Sequence, residues 1–232
     1  MGVNSEREDE MWLAWQEAAS KIYDNTYYKK GSLVARVNDA GHVITESKFG
    51  PEVVFKSVLE VGAGTGRHFS HVTHQFDKYV MTDVSEKLLD IARDRYRDQS
   101  GIAYEVEDAT NLSYPDNTFD RLISIYNLEH LPNPHLVLRE WRRVLRPGGT
   151  LSIAIPLDGG VAWRLGRFLT TRKSFARVGL DLDYIIAREH INPSYNLISL
   201  IRHYFPCRSE EWYPFRIKLV DLNLVFCCSI TV

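Results

Sequence analysis

The 232-residue chain is poor in cysteine, in long apolar runs and in excess charge of either sign. Its three cysteines, Cys207, Cys227 and Cys228, cluster toward one end. An odd set with two adjacent members makes no disulfide framework, so buried, reduced thiols and a cytoplasmic location are expected. No stretch approaches the roughly 18 consecutive apolar residues of a membrane-spanning helix. Residues 1–10 carry neither the cationic nor the apolar region of a secretory signal. A formal net charge of −2 provides no general basic field, so no nucleic-acid partner is expected. Repeats and low-complexity tracts are absent. The remaining composition, 44% hydrophobic and 25% charged, is that of a globular protein with one large domain, or one core with an insertion.

Periodicity supplies the layout. Met11, Trp12, Trp15, Ala19, Ile22 and Tyr23 form one apolar stripe at helical spacing, with Tyr27 and Tyr28 following. Trp12 and Trp15 are expected to pack. The polar stretch up to Gly50-Pro51 reads as a connection. Strands are then expected at 56–61, 78–82, 102–106, 121–125 and 151–155. Helices between them are expected at 66–76, where His68, His71 and His74 are solvated or packed, and at 85–96, with Ser85 as N-cap. A third opens with Asn133 as cap and Pro134 at the first position, and stops at Arg146-Pro147-Gly148-Gly149. Short apolar strands alternating with helices predict a parallel sheet covered on both faces. After Pro156 the alternation lapses. Residues 161–180 contain Arg164, Arg167, Arg172, Lys173 and Arg177 but no acid. It resumes with a helix opened by Asn192-Pro193, then strands near 211–217 and 222–230.

The first strand runs into Glu60-Val61-Gly62-Ala63-Gly64-Thr65-Gly66. Glycines let the backbone approach a ligand, and the turn alone does not say which. The dinucleotide fingerprint needs a small residue three positions after its second glycine. Here that position is Arg67, too bulky for the packing the fingerprint requires, which disfavours an oxidoreductase. Glu60 would repel a pyrophosphate and suits a ligand with positive charge.

These residues resemble the class I methyltransferases that use S-adenosylmethionine. Val58-Leu59-Glu60-Val61-Gly62-Ala63-Gly64-Thr65-Gly66 is similar to their first motif, and Asp83 follows at the end of strand two. Glu107-Asp108-Ala109 is similar to the adenine-site motif. Asn117-Thr118-Phe119-Asp120 and Leu145-Arg146-Pro147-Gly148-Gly149-Thr150 complete the series. The resemblance implies an α/β, doubly wound, Rossmann-like sheet of seven strands, the last antiparallel beside the fifth. It also implies an N-terminal helical lid and connection at 1–50, a cofactor-binding core at 51–156, an acceptor-side lid insertion at 157–192, and a closing helix and two strands at 193–232. The cofactor is S-adenosylmethionine, leaving as S-adenosylhomocysteine. Its contacts are Glu60, Gly62, Ala63, Gly64, Gly66, Asp83, Val84, Asp108, Ala109, Tyr126, and Tyr23 and Tyr28 from the lid. Asp83 would accept hydrogen bonds from the ribose hydroxyls. Phe119 is expected in the core, Asp120 to position its strand, and Gly148 and Gly149 to make a turn.

A sulfonium methyl is already activated, so the protein must align the acceptor and exclude water; a hydroxyl acceptor also needs a base. The candidate catalytic residues are His190, in Arg188-Glu189-His190-Ile191-Asn192-Pro193, and His130, in Tyr126-Asn127-Leu128-Glu129-His130. Glu129, His130 and His190 invite a metal, but the further ligands of metal-dependent relatives are missing, and none is expected. Arg164 and Arg167 are candidate acceptor contacts for an anionic or lipid-linked group. On a helical wheel Val161, Leu165, Phe168 and Leu169 share one side. The plainer expectation is that this side packs on the core and the arginines face water. The activity implied is O-methylation of a small-molecule or carbohydrate-like acceptor. N-methylation of a small amine, and an inactive cofactor-binding partner subunit, are the alternatives.

Overall fold

The computed structural model describes residues 10–17, 31–206 and 208–232. The contacts expected of Tyr23 and Tyr28 lie outside the described residues. One mixed sheet contains β1 (Val54–Val61), β2 (Gln75–Asp83), β3 (Ile102–Val106), β4 (Phe119–Ile125), β5 (Leu145–Pro156), β6 (Arg208–Tyr213) and β7 (Val225–Thr231). The order is β3-β2-β1-β4-β5-β7-β6. The first five strands pair in parallel, and β7 runs antiparallel between β5 and β6. This is the doubly wound arrangement, with its order reversing between β1 and β4, where a crevice opens at the strands' carboxyl ends.

Strand residues alternate between two buried layers. Leu59, Leu122, Ile153, Ile155 and Phe226 join the layer under α3 (Pro134–Val144) and α7 (Ser194–Tyr204). Val58, Met81, Ile123, Ala154 and Cys227 join the other, under α1 (Leu33–Glu46) and α2 (Glu86–Arg95). Burial of this kind contributes about 1.5–3 kcal/mol per large aliphatic side chain. Phe119 lies in the core as expected, and Cys227 and Cys228 are free and buried.

Two expectations fail on the second layer. No helix spans 66–76: residues 62–74 make a loop with one 3₁₀ turn, His68–His71. A crossover of about a dozen residues can reach a parallel neighbour without a full helix. The 31–50 connection is instead α1, whose Ser32 cap accepts from Ala35 N at 3.0 Å. Its buried face reads Ala35, Ala40, Gly41, His42, Thr45 and Glu46, too polar to register as a core stripe. The α1 backbone comes so close to Tyr126 that a Cβ on Gly41 would lie 2.4 Å from the phenolic oxygen. Gly41 N–H donates to that oxygen at 3.1 Å.

Buried polar groups lock α1 to the sheet. Glu46 accepts from both Arg121 guanidinium nitrogens, at 3.0 and 2.6 Å, and contacts His68 Nε2 at 2.9 Å. Arg121 also lies 4.1 Å over the Phe49 ring. Burial would raise the Glu46 carboxyl, but His68 and Arg121 outweigh it and hold it at about 2. So His68, like His74, is packed rather than solvated.

Smaller corrections concern the caps. Ser85 and Asn133 occupy cap positions without a side-chain hydrogen bond, and Asn133 is left-handed at φ 50°. α3 ends at Val144, and the Arg146–Gly149 run opens β5.

The insertion folds as α4 (Val161–Leu169), α5 (Thr171–Arg177) and α6 (Leu182–Glu189). Residues 10–17 are helical and pack against it: Trp15 clusters with Phe175, Leu180, Leu182 and Ile185. Trp15 Nε1 donates to Glu189 at 2.6 Å, and Arg188 lies 4.2 Å over Trp12. α4 reverses the plain expectation. Val161, Leu165, Phe168 and Leu169 are 56–63% exposed, while Trp163 turns inward and donates to Leu224 O at 2.6 Å. One hydrogen-bonded indole, not the aliphatic stripe, orients this helix.

Arg121→Met is expected to destabilise the protein by about 3–5 kcal/mol in urea unfolding at pH 7, because Glu46 becomes a buried carboxylate without its guanidinium. Folded Glu46 titrates near 2, against an ordinary 4.5. Its contribution is therefore complete above pH 4.5 and lost as pH falls toward 2. The gap between wild type and variant should narrow on acidification; a gap constant from pH 7 to 3 would place the cost in packing.

Candidate active site

The carboxyl ends of the parallel strands gather the expected residues. After β1 the chain turns through Gly62, Ala63 and Gly64, where both Gly62 N and Ala63 N donate to Thr82 O, at 2.9 and 2.8 Å. Gly62 has φ 75°, and a Cβ there would meet the Asn127 side chain at 2.4 Å. Only glycine fits that bend against that neighbour. Around Gly64 the space is open, with nothing within 4 Å of a built Cβ. The loop is braced from outside by Arg95, donating to Thr65 O at 2.9 Å, and by Tyr96, donating to Gly66 O at 2.8 Å. Arg67 pairs with Asp39 of α1.

Asp83 ends β2 and organises this corner. Its Oδ2 accepts from Gly64 N and its Oδ1 from Ser85 N, both at 2.9 Å. A carboxylate has about four acceptor positions, so capacity remains for a sugar diol. Val84 beside it is 79% exposed, an apolar surface suited to a flat ring. Asp108, exposed after β3, has Oδ1 fixed by Thr110 N and Oγ1 at 2.8 and 2.7 Å. Those bonds lower its carboxyl, and Oδ2 is left to accept from an amine. Ala109 O accepts from Trp141 Nε1 at 3.1 Å, tying this loop to α3. Glycine backbone, diol acceptor, apolar shelf and amine acceptor together fit S-adenosylmethionine.

Two expected contacts do not face that space. Glu60 points into the core, where its Oε2 accepts from Tyr79 at 2.7 Å. Burial raises its carboxyl to about 8, which favours the neutral form over a charge that answers a cationic ligand. Tyr126 spends its hydroxyl on α1, donating to Val37 O at 3.3 Å and accepting from Gly41. Asn127, not singled out in the sequence, is the residue packed on Gly62. Its Nδ2 donates to Val61 O at 3.3 Å.

The two candidate histidines come together beyond β4. His130 lies in the turn after that strand and His190 caps α6; their rings meet edge to face with centroids 4.8 Å apart. His130 Nδ1 donates to Glu189 O at 2.9 Å, which leaves Nε2 with its lone pair. Burial, then His190, lowers His130 to about 4. His190 Nδ1 contacts Asp158 Oδ2 at 2.8 Å. Burial would lower His190 too, but the Asp158 hydrogen bond and the Glu129 charge outweigh it and raise the imidazole. Asp158 follows β5 by two residues, and in sequence it is one unremarkable acid before Gly159-Gly160. Glu129 is buried beside these rings; burial raises its carboxyl to about 7.

At the insertion's outer end, Arg164, Arg167, Phe168, Arg172 and Asp183 line a cleft of about 330 Å³. Arg172 pairs with Asp183 at 3.2 Å, and Arg167 lies 5.4 Å over Trp163. Arg167 Nη1 is buried without a hydrogen-bond partner among the described residues.

Residues 59–153 match the family model described as "Methyltransferase domain". Over these residues the chain is similar to S-adenosylmethionine-dependent methyltransferases. It is 34% identical over 134 residues to methyltransferase GfsG of Streptomyces halstedii, covering 55% of this chain and 48% of that protein. Over 103 residues it is 36% identical to the ubiquinone/menaquinone biosynthesis C-methyltransferase UbiE of Saccharophagus degradans, 41% of each chain. The chain thus spans less than half the length of these curated relatives. Among solved structures it resembles an S-adenosylmethionine-dependent methyltransferase from Thermotoga maritima, described as a possible histamine N-methyltransferase. The TM-score is 0.61 at 18% identity, over 96% of this chain and 98% of that one. A methyltransferase from Mesorhizobium loti follows at 0.57 and 17%, over 84% and 100%. Both likenesses concern the fold. Among the described residues, no helix is long and apolar enough to cross a membrane.

Asp83→Ala removes the Gly64 brace and the carboxylate expected to accept from the two ribose hydroxyls. Calorimetry should show S-adenosylmethionine affinity falling about ten- to hundred-fold, or about 1.5–3 kcal/mol. An unchanged dissociation constant in a folded variant would remove Asp83 from the ribose site.

Proposed function

We propose that this chain transfers the methyl group of S-adenosylmethionine to a hydroxyl of a small-molecule or carbohydrate-like acceptor, with His190 as base. The observation that carries this reading is the His190–Asp158 pair at 2.8 Å, beside the carboxyl ends of β4 and β5. Asp158 holds Nδ1 and so leaves the lone pair on Nε2, the arrangement in which an imidazole takes a proton from a hydroxyl. S-adenosylmethionine, when bound, supplies an electrophilic methyl that needs no further activation. The glycine loop, Asp83, Val84 and Asp108 hold it, and the packed lid of residues 10–17 with α5 and α6 excludes water. His130, lowered to about 4, is a weak base at neutral pH and serves better to orient the acceptor. Asp158 is a positioning residue.

The Arg164–Arg167 cleft supports an anionic group on the acceptor, since guanidinium forks bind phosphate or carboxylate bidentately. The exposed stripe of α4 beside them supports a lipid-linked form or peripheral membrane contact. Buried free thiols accord with a cytoplasmic setting.

His190→Ala is expected to lower turnover about 10²–10⁴-fold with S-adenosylmethionine affinity unchanged. Because His190 is raised above 6.5 and must be neutral to act, wild-type turnover should rise with pH through a limb above 6.5. Asp158→Asn should shift that limb downward. Full turnover in His190→Ala across neutral pH would overturn the base.

Changing Arg164 and Arg167 to Gln should raise the acceptor KM, with kcat nearly constant. Weaker binding to anionic vesicles as well would indicate a lipid-linked acceptor. If both quantities stay unchanged, the arginines only face solvent.

A further inference from the structure

We propose that Glu129, His130 and His190 form a binding site for one divalent transition-metal ion of the zinc type. One ligand atom from each lies within 4.8 Å of the other two. Glu129 Oε1 is 3.9 Å from His130 Nε2. Ligation at about 2.0–2.2 Å sets ligand atoms about 3–3.5 Å apart, so closure needs side-chain movements of about an ångström.

The surrounding bonds point the same way. Metal-ligating histidines donate their second ring N–H to a carbonyl or carboxylate, which fixes the ring and its tautomer. Here His130 Nδ1 is engaged by Glu189 O at 2.9 Å and His190 Nδ1 by Asp158 Oδ2 at 2.8 Å. Both Nε2 atoms are thereby free to ligate. The third group supplies an independent observation: Glu129 is 1% exposed, and its Oε2 has no hydrogen-bond partner among the described residues. Buried carboxylate oxygens are ordinarily satisfied, and a cation held by the two imidazoles would satisfy this one. The His130 side chain is 33% exposed, which gives an entry path and an open coordination position. Two imidazoles and one carboxylate select zinc-like ions over magnesium or calcium. From the sequence no metal is expected, because the further ligands of metal-dependent relatives are missing; the convergence of these three groups, each histidine held from behind by Glu189 O or Asp158, is what the fold adds.

Binding has a consequence that rests on the proposed base role of His190: an ion on its Nε2 removes the lone pair that would accept the acceptor's proton. Zinc should therefore inhibit methyl transfer.

The test is calorimetric titration of the metal-stripped full chain with Zn²⁺, repeated with Co²⁺ while following its visible absorption. One ion per chain is expected, at micromolar or tighter affinity, with the intense bands of low-coordinate cobalt. Glu129→Gln and His130→Ala should each weaken binding at least ten-fold. Asp158→Asn, which keeps all three ligands, should weaken it about ten-fold or more, and His135→Ala, on exposed α3 surface, should not change it. No saturable one-to-one binding, or binding indifferent to Glu129→Gln and His130→Ala, overturns the site. One-to-one binding that leaves turnover unchanged upholds the site and instead overturns His190 as the base.

Discussion

The ion pair between Glu46 and Arg121, buried with His68, is the interaction on which this architecture turns. Doubly wound sheets cover each face with the helices that connect their strands. Here the connection from β1 to β2 supplies only a 3₁₀ turn, so one face must be closed by a helix from outside the alternation. A helix with few large apolar residues cannot be held by burial alone. α1 is held by polar groups that would be costly to leave unpaired: a bidentate carboxylate–guanidinium contact, a histidine on the same carboxylate, and a glycine amide on the Tyr126 phenol. Tyr126 begins the turn after β4, so the same packing that closes the face fixes the start of the loop that carries His130.

The site then follows from where the strands end. Asp83 serves two purposes, bracing the glycine turn through Gly64 and keeping acceptor capacity for a ligand. The second half of the site depends on residues far apart in the chain. His130 follows β4, Asp158 follows β5 and His190 caps α6, and the contact of α6 with residues 10–17 determines how the His190 end is presented. Residues 10–17 and the insertion are one packed unit, joined through Trp15, Phe175 and Glu189.

Much of the core was legible because it rests on local rules. Strand positions follow from short apolar runs, the glycine turn from residues that tolerate positive φ, and Asp83 and Asp108 from their places at strand ends. Glu60 shows the limit. Its position beside the loop suggested a charge facing a ligand, but a strand residue's face is set by the pleat and its neighbours, and Tyr79 draws it inward. α4 failed for a similar reason. Amphipathic spacing identifies two sides of a helix but not which one meets the protein, and the Trp163–Leu224 bond decided that.

By itself, then, the sequence determined the parallel α/β class, the glycine turn and the strand-end acids. Each depends on residues within a few positions of one another, where sterics and backbone geometry act alone. Only the tertiary structure decided that α1 covers the sheet, that Glu60 is buried against Tyr79, and that Asp158 stands behind His190. It also decided that Glu129, His130 and His190 converge. Those outcomes depend on desolvation and on contacts between segments about 20 to 90 residues apart, whose free energies exist only once the chain has brought them together.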